Sequence, residues 1–410
     1  MAGGAVAMAG RGTAKGAGNA GLNRRRPAKG GGGAGQGERR TGAGAGWQPW
    51  RRKEAARRKA PPPHIAEAAR ATKEMLEAAG HSPKKALGQN FMLDDDVLRR
   101  VVQAAEVRTG DVVVEIGPGT GNLTSHLLEA GARVLAVEKD DTLVDVVRMR
   151  FADAIDDGRL SVLHNDVLHV DIEECAFAFA NGDDVHAAAP PPERRWRGDG
   201  SANTDAEVDP APERVAESAR RPKANLTRTL ALDRRAKVVA NLPYNLTKDV
   251  LLRLLPMGGV MTDVVVMLQD EAARRWSEAA PGDADYRGVS VLASFFAEPS
   301  YAFFIPRNAF YPAPNVDSAC VRFALRDPDL WAGASDTRLA RVRALTRVVN
   351  AGFTSRRKML RNTLQGGAFG DAAFVAAALA SAGLDPDVRP QDVSAAGFAR
   401  LVCALEAARP

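Results

Sequence analysis

The sequence predicts an α/β protein: a Rossmann-like, doubly wound sheet followed by a small all-helical C-terminal domain. Three observations carry that expectation. Short apolar runs rich in Val and Ile alternate with segments of helical spacing, the pattern of a mostly parallel sheet with crossover helices. The first run breaks at a glycine cluster, Asp111-Val-Val-Val-Glu-Ile-Gly-Pro-Gly-Thr-Gly121, which reads as a strand, a tight turn and a helix start. From about Leu330 onward apolar residues recur at helical spacing, with Gly and Pro breaks, as in a small helical domain.

The chain has 410 residues and is 45% hydrophobic, enough for two folded domains plus tails. Residues 1–80 hold 16 Lys and Arg against 5 Asp and Glu, a balance of +11; the remainder carries 40 basic and 45 acidic residues, or −5. Net charge therefore says nothing about nucleic-acid binding by the folded part, which must rest on local patches. Residues 1–80 read as a disordered basic leader, poor in acids like an organelle transit peptide. The alternative is a basic tail that helps bind RNA, and the lack of any serine before Ser82 is unusual for a plastid leader. A short amphipathic helix is possible over 64–79. No apolar run approaches the length of a membrane span, so a soluble protein without membrane contact is expected. Cys175, Cys320 and Cys403 are far apart, and no Cys/His spacing suggests zinc or another metal.

Order is expected to begin near Lys84. A helix over 94–103 leads into strands at 111–116, 133–138 and 160–164, with crossover helices over 122–130 and 140–151. From about Cys175 to Asp233 periodicity is lost among Pro, Ala, Arg, Asp and Gly, which reads as a mostly disordered insertion in a surface loop. The sheet resumes at Lys237-Val-Val-Ala240 and continues at 263–268, 301–305 and 319–323, with helices over 246–255 and 269–277. The expected organisation is a leader at 1–80, a catalytic domain at 81–328 and a helical domain at 329–410.

Two motifs carry chemistry. Gly117 opens the first turn, and Glu138 ends the next strand about twenty residues on, where an acid commonly binds ribose hydroxyls. The pattern alone admits a dinucleotide, S-adenosylmethionine or a tight turn without ligand. The Gly-x-Gly-x-Gly spacing and Pro118, which lacks an N–H for a pyrophosphate, favour a nucleoside without phosphates, such as S-adenosylmethionine. The second motif is Asn241-Leu-Pro-Tyr244, after the fourth strand. An adenine amino group is a poor nucleophile because its lone pair is delocalised into the ring. The Asn241 side-chain oxygen and the Leu242 carbonyl, exposed by Pro243, can accept both N–H hydrogens and localise that pair. Tyr244 offers a face for a flipped base. The bland alternative is an ordinary strand-to-turn link.

The chain resembles the small-subunit ribosomal RNA adenine N6,N6-dimethyltransferases, from Lys84 to about Leu364. The resemblance rests on Leu-Gly-Gln-Asn-Phe91, Glu-Ile-Gly-Pro-Gly-Thr-Gly121, Glu138, Asp166, Asn-Leu-Pro-Tyr244, Phe310-Tyr-Pro-Ala-Pro-Asn-Val-Asp-Ser318 and Phe353-Thr-Ser-Arg-Arg-Lys-Met-Leu-Arg-Asn362. Leu255-Pro-Met-Gly258 and Glu298-Pro-Ser-Tyr301 are most similar to the plastid branch. It implies an S-adenosylmethionine-dependent methyltransferase sheet and dimethylation of two adjacent adenines near the 3′ end of small-subunit ribosomal RNA, in a pre-ribosomal particle. A monomer in the chloroplast is expected, with the mitochondrion as the alternative address. In the roles it implies, Asn90 and the Met92 backbone cover the cofactor, Gly117 contacts its methionine part, Glu138 its ribose and Asp166 its adenine amino group. Asn241 touches cofactor and target amine. Met92 stands where Leu is usual, and Asn315 where many relatives have Lys.

Arg356, Arg357, Lys358 and Arg361 read as one and a half helical turns, either a solvated face or phosphate contacts that position RNA. Phe310 and Tyr311 are candidates for stacking on substrate, with core packing as the other reading. Two further classes are a binding protein that kept the fold, against which intact Asn241 and Tyr244 argue, and a nicotinamide-dependent oxidoreductase, which conflicts with the glycine spacing and for which the chain has no candidate hydride-site residues.

Overall fold

The computed structural model describes residues 61–84, 88–189, 230–231, 234–326, 335–366 and 369–408. The strands are β1 (Phe91–Met92), β2 (Val112–Ile116), β3 (Arg133–Glu138), β4 (Leu160–His164), β5 (Ala236–Asn241), β6 (Met261–Gln269), β7 (Ala297–Ile305), β8 (Phe310–Tyr311) and β9 (Ser318–Leu325). Seven form one sheet in the order β4-β3-β2-β5-β6-β9-β7. β2 to β6 are parallel; β9 runs antiparallel to both β6 and β7.

The sequence explains the centre of this sheet. All five residues of β2 are buried, as required of a parallel strand covered on both faces. Val112, Val114 and Ile116 face one core and Val113 the other, following the two-residue period of a strand. The chain steps from β2 to β3 and β4 on one side, then returns to β5 on the other. Between β2 and β5 the strand order reverses, and the carboxyl ends there form the crevice where such sheets bind ligands.

On the faces lie α2 (Asp95–Ala104), α3 (Asn122–Glu129), α4 (Asp141–Arg150) and α5 (Ala152–Asp156), then α6 (Ile172–Asn181) and α7 (Val185–Ala188), then α8 (Thr247–Leu254) and α9 (Asp270–Ser277). α2 begins at Asp94, whose carboxylate accepts from the N–H groups of Asp96 and Val97, a side-chain cap for orphan donors.

Two sequence expectations are corrected here. The insertion does not begin at Cys175. α6 buries Ile172, Cys175, Ala176 and Phe179, the spacing of an apolar helical stripe. Its first position precedes Cys175, so cutting the pattern there hid the period. Asp171 caps this helix, and Val185 of α7 joins the same core. Leu230 is buried, and its N–H bonds the Gly259 carbonyl at 2.9 Å. What is left of the expected segment lies mostly outside the described residues. The second correction concerns the leader, whose last part is a packed helix, α1 (Pro63–Ala78), with Ile65, Thr72 and Leu76 buried. Leu76 meets Phe91, Leu143 and Tyr311. The short amphipathic helix expected over 64–79 is thus present, and the correction concerns only the boundary of the leader at residue 80. The remainder of the expected leader lies outside the described residues.

The C-terminal layer contains α10 (Gly288–Phe296), α11 (Ser335–Gly352), α12 (Leu360–Leu364), α13 (Ala372–Ser381) and α14 (Ala395–Ala407). Its core joins Leu345, Val349, Leu360, Leu379, Phe398 and Leu401 to Tyr286, Val291 and Leu292. The last three precede residue 329, so α10 belongs to both layers. Leu252 and Phe296 pack against the sheet core and the helical core alike.

Candidate active site

A cavity of about 250 Å³ opens where β2 and β5 end, lined by the first glycine turn, residues 88–92, Glu138, Asn165 to Val167 and Asn241 to Leu246. Gly117 takes φ +68° with its N–H on the Val137 carbonyl. A Cβ on Gly117 would meet no atom within 4 Å and would project into open space. Gly121, at φ +86°, is glycine for packing: a Cβ there would lie 2.4 Å from the Phe151 ring. One glycine of the motif leaves room for a ligand, and the other lets α4 close on the turn.

Glu138 is buried at the tip of β3. Its Oε1 accepts the N–H groups of Lys139 and Asp140, each at 2.9 Å, and Oε2 accepts that of Gly119 at 3.2 Å. Burial pushes this carboxyl above its ordinary range, against the pull of those N–H groups. Asp166 has its Oδ1 on the Leu168 N–H and its Oδ2 on Lys139 Nζ at 2.8 Å. Burial pushes Asp166 up, but Lys139 and the Leu168 N–H outweigh it and hold the carboxyl below the usual range.

Asn241 ends β5. Its side-chain nitrogen donates to the Asn90 carbonyl at 2.8 Å, which fixes the amide orientation and leaves Oδ1 as an acceptor. No donor among the described residues is assigned to the Leu242 carbonyl, whereas the Pro243 carbonyl receives the Leu246 N–H at 3.0 Å. Asn90 is held in turn by a bond from its side-chain nitrogen to the Gly88 carbonyl. The Met92 carbonyl accepts from Asn122 Nδ2 at 2.8 Å, so it ties the cover of the cavity to the start of α3. Tyr244 lines the cavity, and its hydroxyl sits 2.6 Å from Ser318 Oγ.

The structure thus brings Asn90, Met92, Gly117, Glu138, Asp166 and the 241–244 turn to one cavity. It does not do so for the remaining candidates. Phe310 is 3% exposed, pairs with Met92 and belongs to the core, which rules out stacking on substrate. Tyr311 is half-buried against the Leu76 cluster. The basic run is not one continuous helical stretch as expected: Phe353–Ser355 is a 3-10 turn, Arg356 to Lys358 are not helical, and only Arg361 lies in α12, which starts at Leu360. Arg356 donates to the Ala284 carbonyl and Arg361 pairs with Asp387 at 2.7 Å. Arg357 and Lys358 are exposed. The residues 356–361 do not line the cavity.

Sequence reasoning missed Glu115, which lines the cavity, and a polar cluster next to it of which only Gln89 does. Glu115 is buried within β2, where burial pushes its carboxyl up to about 8. Thr124 donates to its Oε2 at 2.6 Å, and Oε1 has no partner. The signal was available: an acid inside an otherwise apolar strand. Asp140 is also buried. It binds Lys84 Nζ at 2.7 Å and has His81 Nδ1 at 3.7 Å, while Gln89 accepts the Lys84 N–H at 2.8 Å. This cluster anchors the segment that carries Asn90, and no linear spacing announces it.

Comparison with known proteins identifies the family of the chain. Residues 80–405 match the family model described as ribosomal RNA adenine dimethylase. The chain is 35% identical over 330 residues to the chloroplastic ribosomal RNA small subunit methyltransferase of Arabidopsis thaliana, covering 80% of this chain and 81% of that one. It is 32% identical over 326 residues to ribosomal RNA small subunit methyltransferase A of Protochlamydia amoebophila, covering 80% and 92%. A dimethyladenosine transferase structure from Plasmodium falciparum superposes with a TM-score of 0.52 at 17% identity, covering 78% of this chain and 98% of that one, which shows a shared fold. The chain belongs to the ribosomal RNA adenine dimethylase family.

Proposed function

We propose that this protein is an S-adenosylmethionine-dependent methyltransferase that dimethylates N6 of two adjacent adenines near the 3′ end of small-subunit ribosomal RNA during ribosome biogenesis. The observation that carries the reading is the Asn241 amide, locked by Asn90 with its oxygen free beside the Leu242 carbonyl. Two acceptors at one strand end suit an amine with two N–H donors, and few other nucleophiles.

The residues present fit the cofactor. The open space over Gly117 admits close backbone approach, Glu138 is rigidly held for ribose hydroxyls, and the buried Glu115 Oε1 is left without a partner beside the cavity. When bound, S-adenosylmethionine supplies a methyl group on a sulfonium that is already an activated leaving group. The protein's part is alignment and desolvation. Asn241 Oδ1 and the Leu242 carbonyl accept the amine hydrogens and turn its lone pair out of ring conjugation. Tyr244 gives the extruded base a face to stack on. Arg357 and Lys358 are the members of the basic run available to phosphates.

The plastid-like relative supports a chloroplast address, and the protein acts as a monomer on a pre-ribosomal particle. The test is methyl transfer to small subunits from a null strain, with primer extension mapping the product. Stops at two adjacent adenines are expected; unmethylated subunits would reject the activity. Residues 1–80 fused to a fluorescent protein test the address, and a cytosolic signal would reject it.

A further inference from the structure

Arg253 stands at the C-terminal end of α8, the helix that starts three residues beyond Tyr244. Its guanidinium donates to three main-chain carbonyls of one short loop, those of Val167, Leu168 and Val170, the first at 3.0 Å. That loop begins at Asp166, whose carboxylate is also held by Lys139 Nζ at 2.8 Å, while the loop's main-chain hydrogen bonds otherwise close on the loop itself. The Asp166 carbonyl accepts the N–H groups of His169 at 2.8 Å and Val170 at 3.0 Å, and the Asp166 carboxylate accepts that of Leu168. Three carbonyls that this turn does not use itself are the ones Arg253 takes.

The other end of α8 grows out of the catalytic turn. The Leu246 N–H bonds the Pro243 carbonyl, and Leu246 and Val250 line the same cavity as Val167. One short helix therefore has its start at the Asn241 turn and its last turn fastened to the Asp166 loop. A half-buried arginine must satisfy its donors somewhere. What sets this one apart is that all three acceptors belong to the loop that the functional reading assigns to the cofactor's adenine. A planar guanidinium holds several acceptors in fixed directions, which an ammonium does not.

We infer that Arg253 is a positioning residue for adenine recognition: it clamps the Asp166–Val170 loop to α8 and so sets Asp166 relative to the Asn241 turn. The inference rests on the proposed use of S-adenosylmethionine. It assigns Arg253 no contact with either substrate.

The test uses the full chain with Arg253→Lys and Arg253→Gln. Calorimetry gives the affinities of S-adenosylhomocysteine and its inosine counterpart, which lacks the amino group that Asp166 would read. Melting temperature and amide exchange at Leu168 are followed in parallel. Wild type should prefer the adenosyl ligand. Both variants should bind it about tenfold more weakly, as expected on losing charge-assisted bonds that order a loop. They should also lose most of the preference over inosine and exchange the Leu168 amide faster. A merely structural arginine would weaken both ligands equally, in step with melting temperature, and that pattern overturns the inference. Unchanged preference and unchanged exchange in Arg253→Lys overturn it too. If wild type binds neither ligand, the cofactor assignment itself fails and takes this inference with it.

Discussion

The turn at 241–244 and the turn at 356–361 are both short polar segments in family-like motifs, yet they spend their polar groups differently. At the first, the protein satisfies the donor of Asn241 within a turn whose residues line a cavity. At the second, it turns Arg356 and Arg361 inward to a carbonyl and to Asp387, leaving Arg357 and Lys358 in solvent. The strand end fixes direction: β5 is hydrogen-bonded on both sides, so the residue that leaves it points one way. A charge run in a helical layer has no such constraint. Its side chains go to whichever acceptors the packing supplies.

The sharpest way to break this contrast is Asn241→Ala. Loss of a preorganised polar contact at the reacting centre should cost on the order of a hundredfold or more in single-turnover rate, with a modest change in melting temperature. A near-normal rate would make Asn241 a link to Asn90 and nothing more.

Tyr244 comes next. Tyr244→Ala should lower kcat/KM roughly tenfold to a hundredfold through lost stacking. Tyr244→Phe keeps the ring but leaves the fully buried Ser318 hydroxyl without its partner. It should stay within a few-fold in rate while losing about 1–2 kcal/mol of stability. Steady-state kinetics with denaturant unfolding separates ring from hydroxyl, and equal rate losses in both variants would give the hydroxyl a chemical role.

Glu115 should show in the pH dependence of stability. Its carboxyl is raised from 4.5 to about 8 by burial, so the folded chain keeps a proton that the unfolded chain releases. The stabilisation is complete below about 4.5 and is lost as pH rises through about 8. Unfolding of the cofactor-free protein across that range should weaken with pH, and Glu115→Gln should flatten the profile. An unchanged profile in the variant would assign the dependence elsewhere.

The smallest effect tests the second turn. Arg357→Ala with Lys358→Ala should weaken binding to ribosomal RNA and reduce the salt slope by about one to two. Arg361→Ala should leave that slope alone and cost less than about 1 kcal/mol, because its ion pair with Asp387 is half-exposed. A salt slope that falls for Arg361 and not for the pair would reverse the assignment.

Much of the fold was legible because parallel strands buried on both faces write unbroken Val and Ile runs, and their glycine exits are local. The cavity was legible for the same reason: Gly117, Glu138, Asp166 and Asn241 each follow a strand end. What escaped depends on tertiary context. Phe310 looked like a stacking residue, and only its pairing with Met92 reveals a core side chain. The helical stripe of Ile172, Cys175, Ala176 and Phe179 runs up to the low-complexity segment and was divided by a compositional boundary. The Asp140 cluster joins residues with more than fifty positions between Lys84 and its partner, a contact that no window sees.

The two-residue strand β1 owes its only ladder to β8. With α1 it forms a wall whose parts come from opposite ends of the catalytic sequence. Closing a contact of that range carries a large entropy cost before it gains anything. During synthesis the glycine turn and its acid leave the ribosome long before Phe310 does. The nascent chain therefore holds every residue that lines the cavity before β8 exists to pair with β1, and the wall can close only after most of the sheet has been made. The backing of the site is a late event in the life of each new molecule, set by topology and not by the motifs that first reveal the cavity.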